Sequence, residues 1–148
     1  MHQVHRSALV PYSSEQMFNL VNQIEHYSEF IPHCSKTEIH EKSEKKIRAS
    51  IYLKKGPFSQ AFTTENILNF PHTIQLNLIN GPFSNFEGSW TFEDLGDLNN
   101  TACKVSLKLN FKIQNSLLNQ LFAKLFEHLA NQMLDAFCQR AEKIYGKN

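Results

Sequence analysis

The sequence predicts an α+β domain in which a curved antiparallel sheet wraps around one long C-terminal helix. Between residues 35 and 113, apolar residues recur at every second position, which is the period of strands that bury one face and expose the other. From residue 116 to residue 145 the spacing changes to three and four, as in an amphipathic helix. The 148 residues contain no internal repeat or linker, so we expect one domain over residues 1–148.

The N-terminal elements are predicted from the residues that start and stop them. A first strand is expected over residues 2–10, ended by Pro11. Ser13 followed by Gln16 is a capping-box pattern, which opens a short helix. A second short helical turn is expected over residues 24–30. The inner side of the first helix is expected to carry Met17, Phe18, Leu20, Val21 and Ile24.

About six further strands are predicted between these helices and the long helix. Three have clear alternation, with apolar sides formed by Ile47, Ala49, Ile51 and Leu53, by Ile74, Leu76 and Leu78, and by Cys103, Val105, Leu107, Leu109, Phe111 and Ile113. Weaker strand signals cover residues 37–40, 60–68 and 86–92. Turn signals separate the runs at residues 41–44, 55–57, 71–72, 81–82 and 96–100.

The long helix is predicted from one apolar stripe, formed by Leu118, Leu121, Phe122, Leu125, Phe126, Leu129, Met133, Phe137 and Ile144. Asn115 or Ser116 can cap its start, and Lys143 suits its C-terminal end. About thirty residues at ~1.5 Å each give roughly 45 Å, enough to cross a whole sheet. A sheet curled around such a helix can leave an apolar pocket between the two. The twelve Phe residues suit either the wall of such a pocket or a dense core.

The composition argues against several classes of function. Fifteen basic and fourteen acidic residues nearly balance, so no overall field favours nucleic acid, and DNA is not an expected partner. Three cysteines without CxxC spacing indicate reduced thiols and a cytoplasmic location. The sequence shows no metal-ligand cluster, nucleophile elbow, phosphate loop or carboxylate pair, and no secretory or membrane-spanning segment. We therefore expect a binding protein with no catalytic residues, no metal and no cofactor.

Motifs along nearly the whole chain resemble the coenzyme Q-binding, START-like proteins. They are Val21, Tyr27, Phe30-Ile31-Pro32 and Cys34; Gly81-Pro82-Phe83, Gly88, Trp90 and Phe92; and Phe126, Ala130, Met133, Ala136-Phe137, Arg140-Ala141 and Tyr145. Residues 8–13 are especially similar to the bacterial branch of ribosome association toxins. The resemblance implies a helix-grip (START-like) fold with a hydrophobic cavity for ubiquinone or a related polyprenyl lipid. It implies a carrier or chaperone that supports respiration, with peripheral contact at the inner membrane. The alternative it implies is a toxin that binds the large ribosomal subunit and blocks subunit association.

The candidate ligand-binding residues are large apolar groups on the strands, the helix stripe and two loop motifs: Phe30, Leu76, Leu78, Phe83, Trp90, Phe92, Phe122, Phe126, Leu129 and Met133. The same residues are also consistent with ordinary core. The loop motifs at residues 30–32 and 81–83 could form a cavity mouth that dips into a bilayer, or could pack on the sheet edge.

The candidate ribosome contacts are Lys46, Arg48 and Lys54, which share the wet face of one predicted strand. A second set, Lys104, Lys108 and Lys112, shares the wet face of another strand. If the two strands are close, the two sets form one basic ridge able to meet RNA phosphates. The alternative is a solvated sheet face.

Overall fold

Seven strands and two α-helices build the fold of the computed structural model, which describes residues 2–97 and 100–146. In chain order the elements are β1 His2–Val10, α1 Ser14–Asn22, a 3-10 helix Ile24–Glu29, β2 Cys34–Lys42, β3 Lys46–Lys55, β4 Phe58–Asn69, β5 Thr73–Asn80, β6 Phe83–Asp94, β7 Cys103–Ile113 and α2 Leu117–Tyr145. The predicted α+β class and element order are confirmed. Within the described residues, no helix is long and apolar enough to cross a membrane.

The seven strands form one antiparallel sheet in the order β1-β7-β6-β5-β4-β3-β2. Neighbours in sequence are neighbours in the sheet, except that β1 pairs with the last strand, Val10 opposite Cys103 and His2 opposite Phe111. Register shifts occur in the β2–β3, β4–β5 and β6–β7 pairs, and such irregularities increase the local twist and bend of a sheet. The sheet curves around α2, which packs against its inner face.

The weak strand signals all correspond to strands that are longer than their patterns predicted. β4 is the clearest case, because its inward-facing positions include Thr64 and Asn66 as well as Phe62 and Leu68. Two polar residues in the buried phase interrupt the alternation of apolar and polar residues that signals a strand. The predicted turn at 96–100 contains residues 98 and 99, which lie outside the described residues.

The middle of the predicted α2 stripe is buried, but the prediction is wrong at two positions, which are exposed. Phe122, Leu125, Phe126, Leu129 and Phe137 are buried, whereas Leu121 and Ile144 are 58% and 51% exposed. Leu121 precedes Phe122, and one residue rotates a helix by about 100°, which turns Leu121 out of the stripe. Small and medium residues that the pattern omitted complete the buried face: Ala130, Leu134 and Ala141. The side chain of Leu118 lies outside the described residues.

The helix ends are held as their cap residues predict. Ser13 and Gln16 form the capping box, with the Ser13 hydroxyl accepting from Gln16 N at 3.1 Å. Ser116 caps α2 by accepting from Asn119 N at 3.1 Å. The phenol of Tyr145 donates to the carbonyl oxygen of Gln16 at 2.9 Å, which ties the end of α2 to α1. Ile24 is buried but lies in the 3-10 helix, because α1 ends at Asn22.

Candidate functional site

A narrow apolar cavity of about 50 Å³ lies between α2 and the inner face of the sheet. β3 to β7, the 3-10 helix and α2 all contribute to its wall. The lining residues are Ile24, Tyr27, Ala49, Ile51, Phe62, Thr64, Asn66, Leu76, Phe86, Trp90, Leu107, Leu109, Phe126 and Met133. None of these lining residues carries a charge at neutral pH. The cavity therefore presents a surface suited to an uncharged, largely apolar molecule.

Two buried polar side chains on β4 face this cavity. The Thr64 hydroxyl donates to Asn66 Oδ1 at 2.8 Å, and both residues are buried. This bond uses the amide oxygen of Asn66, and no side-chain hydrogen bond is found for its amide nitrogen among the described residues. The two N–H donors of the Asn66 amide are thus available to an acceptor inside the cavity. Burying an amide costs free energy unless it finds a partner, and the Thr64 hydroxyl supplies one for the amide oxygen of Asn66.

Aromatic rings form part of the cavity wall and of the core behind it. Trp90 lies parallel to Phe92 with ring centroids 6.4 Å apart, and it meets Phe137 edge-on at 5.3 Å. Tyr27 meets Phe137 at 5.3 Å and donates its hydroxyl to the carbonyl oxygen of Val21. Burial raises the pKa of the Tyr27 phenol, so this group stays neutral at physiological pH.

Four of the ten candidate ligand-binding residues line the cavity: Leu76, Trp90, Phe126 and Met133. The others lie outside its wall. Phe83, Phe92, Phe122 and Leu129 are buried in the surrounding core, and Leu78 is partly buried against it. Phe30 is partly buried and packs on Phe137, with the Arg140 guanidinium 4.9 Å from its ring centroid. Contact of any of the ten with a ligand stays a prediction.

The bilayer-mouth interpretation of the two loop motifs is wrong. Ile31, Pro32 and Phe83 are not on an exposed tip: Phe83 is buried among the rings of Phe62, Phe86, Phe111, Phe122 and Phe126. Ile31 is buried as well, and Pro32 is partly buried. Large apolar side chains next to a turn fold back onto the nearby sheet and helix because that contact removes them from water.

Several lining residues were not among the candidates: Ile24, Tyr27, Ala49, Ile51, Phe62, Thr64, Asn66, Phe86, Leu107 and Leu109. The strand alternation places Ala49, Ile51, Leu107 and Leu109 on the inner face, but it does not say which inward residues border a void. Thr64 and Asn66 could have been found from the sequence. A polar residue in the inward phase of a strand indicates a buried polar group that requires a partner.

The three cysteines are weak nucleophiles. Burial raises the pKa of Cys34 to about 11 and that of Cys103 to about 12, and burial also raises the pKa of Cys138. At neutral pH these groups are therefore protonated thiols rather than thiolates. The described part of the chain contains no group of three His, Cys, Asp or Glu side chains that could hold a metal ion.

The proposed single basic ridge is wrong because its two strands are far apart. β4, β5 and β6 lie between β3 and β7, which separates the two sets of basic residues by four strand spacings, or roughly 19 Å. On β3, Lys46 lies 3.7 Å from Glu41 and Arg48 lies 2.9 Å from Glu65. The hydrogen bond from Arg48 lowers the pKa of Glu65, so the carboxylate stays ionised. These neighbours neutralise Lys46 and Arg48, whereas no ion pair is found for Lys54 in the described part of the chain.

The lysines of β7 form a separate row on the outer face of the sheet. Lys104, Lys108 and Lys112 are exposed, and no ion pair within 4 Å is found for them among the described residues. Lys108 lies opposite His5 on β1 and Ser89 on β6. We call Lys104, Lys108 and Lys112 the outer row.

A wider groove of about 550 Å³ opens where α2 begins. It lies between the β3–β4 turn, the segment before β2 and the first half of α2. Its lining residues are His33, Lys55, Pro57, Phe58, Leu121, Lys124, Leu125 and His128. The rings of His33 and His128 face each other across it with centroids 6.0 Å apart. We call this feature the basic groove.

Residues 10–138 match the model of the polyketide cyclase / dehydrase and lipid transport family. The chain belongs to this family. Within the family it is 44% identical over 143 residues to the ribosome association toxin RatA of Pseudomonas aeruginosa, and the match covers 97% of each chain. It is 26% identical to the mitochondrial coenzyme Q-binding protein COQ10 of Drosophila melanogaster, covering 95% of this chain and 59% of that protein. The suspected family and its RatA-like branch are confirmed.

Solved structures of low sequence identity share the fold. The Zhui aromatase/cyclase from a Streptomyces species superposes with a TM-score of 0.75 at 15% identity, covering 96% of this chain and 94% of that chain. A START superfamily protein from Mycobacterium smegmatis gives a TM-score of 0.67 at 22% identity, covering 97% and 99%. The expected helix-grip fold is confirmed. Identities this low establish only the fold, so the cyclase activity of one neighbour assigns no activity to this chain.

Proposed function

We propose that this chain is a ribosome-associating protein of the RatA type, which binds the large ribosomal subunit and prevents subunit joining. The observation that carries this proposal is 44% identity over 97% of both chains to a protein named for ribosome association. A similarity that spans the whole length includes the surface as well as the core. We also infer that the chain binds rather than catalyses, because its cavity wall offers no charged acid or base. We infer a cytoplasmic location from the three free cysteines.

The outer row is the surface we assign to the ribosome. Lys104, Lys108 and Lys112 lie on one strand and point to one face, where their charges can meet RNA phosphates. Lys104 lies opposite Glu93 of β6, and within residues 2–97 and 100–146 no ion pair within 4 Å is found for the three lysines. Lys46 and Arg48, by comparison, already contact carboxylates. Phosphate contacts depend on unneutralised charge, so the outer row is expected to contribute more to binding than the β3 set.

The test is co-sedimentation of the purified protein with separated ribosomal subunits on a density gradient, followed by a subunit-joining assay. We expect the native protein to migrate with the large subunit and to reduce the fraction of joined ribosomes. Replacing the outer row with Gln is expected to weaken binding at least tenfold, whereas the matched variant Lys46→Gln with Arg48→Gln changes it little. Protein that remains at the top of the gradient while subunits join normally would contradict the proposal.

A second candidate function is binding of a quinone or related polyprenyl lipid in the cavity. The observation that favours it is the Asn66 amide, which presents N–H donors to an otherwise apolar wall containing Trp90. A quinone carries carbonyl acceptors on a flat ring, which match a donor and an aromatic surface. The similarity to a coenzyme Q-binding protein adds support. The cavity of about 50 Å³ is far below the ~300 Å³ of a typical ligand site, so binding requires α2 to move outward from the sheet.

Lipid extraction and native mass spectrometry of protein from a quinone-producing host test this second function. Near-stoichiometric quinone is expected with the native chain. Ala49→Val fills the cavity and is expected to abolish quinone retention, whereas Ala61→Val on the outer face of β4 retains it. Asn66→Leu is expected to lower retention about tenfold because it removes the donor. Equal quinone content in all four proteins would place the lipid outside this cavity.

A further inference from the structure

The end of the molecule where α2 begins carries basic residues for which no ion pair is found among the residues that the structure describes: Lys54, Lys55, Lys112 and Lys124. The end of β3, the start of β4, the β5–β6 turn, the start of β2 and the start of α2 all meet at this end of the antiparallel sheet. The corresponding segments, residues 30–37, 53–64, 77–86 and 111–126, contain no Asp or Glu, although each is followed directly by a glutamate. Among these glutamates, Glu38 lies 3.5 Å from Lys36, and Glu127 lies 3.6 Å from His2. The whole chain nevertheless has 14 acidic against 15 basic residues, so its carboxylates are concentrated elsewhere. This end therefore attracts anionic partners although the net charge is only +1.

Exposed leucines stand beside the cations of this end. Leu117 and Leu121 are 83% and 58% exposed, and they lie one turn apart on the same side of α2. Lys124 and His128 continue that side along the helix, where they form one wall of the basic groove. Lys55 stands on the opposite wall, and Phe58 and Leu125 provide apolar surface between them. Single exposed apolar residues are normal on a protein surface. Leu117 and Leu121 differ because they stand together beside the basic groove, which Leu121 helps to line.

The combination of lysines with exposed leucines favours a membrane surface over RNA as the partner of this end. At an anionic bilayer, lysines meet lipid phosphates while leucines enter the boundary between head groups and acyl chains. RNA phosphates would satisfy the lysines but leave the leucines against a polar, hydrated backbone. A cation set with exposed leucines therefore fits a bilayer better than it fits the ribosome.

We propose that the α2-start end docks on an anionic membrane surface, with Leu117 and Leu121 in the head-group boundary and Lys55 and Lys124 against lipid phosphates. This docking surface is separate from the outer row, and it does not depend on ribosome association. It would bring the first half of α2, which covers the cavity, to the bilayer in which polyprenyl lipids dissolve.

Vesicle co-sedimentation tests the proposal with the full chain. We expect binding to vesicles of phosphatidylglycerol and phosphatidylethanolamine, and weak or no binding to vesicles of phosphatidylcholine alone. Lys55→Gln with Lys124→Gln is expected to weaken binding to the anionic vesicles about 30-fold. Leu117→Ser with Leu121→Ser is expected to weaken it about tenfold. Leu117, Leu121, Lys55 and Lys124 are all exposed, so these substitutions are not expected to disturb the core. Circular dichroism should therefore show an unchanged fold.

Matched controls test whether vesicle binding depends on this surface or only on the total charge and exposed apolar area of the protein. Lys104→Gln with Lys108→Gln removes the same charge from the outer row, and Ile144→Ser removes a 51% exposed apolar residue from the other end of α2. Both are expected to leave vesicle binding unchanged. The proposal is overturned if these controls lose as much binding as the docking variants, or if the docking variants bind normally. Loss of ribosome association by Lys55→Gln with Lys124→Gln, with vesicle binding intact, would instead assign this end to RNA.

Discussion

Gly88 controls how closely β5, β6 and β7 pack beside the cavity. A Cβ at this position would lie 2.5 Å from Leu109 Cδ2 and 3.1 Å from Leu76 Cδ1, both shorter than ordinary van der Waals contact. These two leucines line the cavity, so they occupy the space that a side chain at residue 88 would need. The glycine here is required by a close approach of side chains rather than by an unusual backbone angle.

Gly88→Ala is therefore expected to push Leu76 and Leu109 into the cavity. The leucine ends can move, so we expect a moderate loss of about 1 kcal/mol in the free energy of unfolding, together with a smaller cavity. Urea denaturation measures the first effect, and quinone retention measures the second. Combining it with Leu109→Val, which shortens the clashing side chain, is expected to restore part of the stability. A fully stable Gly88→Ala variant with native quinone retention would show that the strands separate without cost.

The link between α1 and β6 shows how one strand end holds a helix in place. Asp94, at the end of β6, accepts from the Ser14 backbone N at 3.1 Å and from the Ser14 hydroxyl at 2.8 Å. Ser14 begins α1 and is buried. A carboxylate at this position satisfies a free N–H of the first turn and interacts favourably with the helix dipole. α1 is thereby fixed over the end of the sheet next to Tyr145 of α2.

Asp94→Ala is expected to destabilise the protein by about 2 kcal/mol, because it leaves two buried donors of Ser14 without their acceptor. Thermal or urea denaturation measures the change. Glu93→Ala is the matched control, since Glu93 is adjacent on β6 and exposed like Asp94, but no hydrogen bond to α1 is found for it among the described residues. It is expected to change stability by less than ~0.5 kcal/mol. Equal effects of the two substitutions would mean that α1 is held by apolar packing alone.

The pairing of β1 with β7 is a property of the whole chain. It joins the first strand to the last, so the sheet spans residues 2–113 before α2 crosses its inner face. The interior enclosed in this way buries groups that ionise at high pH. Burial raises the pKa of Cys34 from 9.0 to about 11 and that of Cys103 from 9.0 to about 12, and it raises the pKa of Tyr27.

Stability is consequently expected to fall in alkaline solution. The folded chain holds these protons above the pH at which the unfolded chain releases them. The stability that the two buried thiols contribute is thus complete below about pH 9. It is lost as the pH rises through their pKa values in the folded chain, about 11 for Cys34 and about 12 for Cys103. Urea denaturation at neutral pH and at about pH 10 checks the sign. Cys34→Ala with Cys103→Ala is expected to flatten the decline, and an equally steep decline in that variant would rule out the thiols as its source.

Much of the candidate site follows from the sequence because strand faces alternate strictly. The inward direction of Ala49, Leu76, Trp90 and Leu109 is determined by their position in β3, β5, β6 and β7. Which of the inward residues border a void could not be predicted. A cavity is the gap left after large side chains from different elements have packed, and its place depends on distances that no local pattern contains.

The sequence by itself determined the order of elements, the helix caps, the antiparallel class and the resemblance to the family, because each depends on local spacing or on motifs read in order. Tertiary structure alone decided which strands are neighbours. It therefore decided that the lysines of β3 and β7 stay apart, that Phe83 turns into the aromatic core, and that Lys55 comes to face Lys124 across the basic groove. These relations join residues distant in the chain, and they arise only when the curved sheet closes on α2.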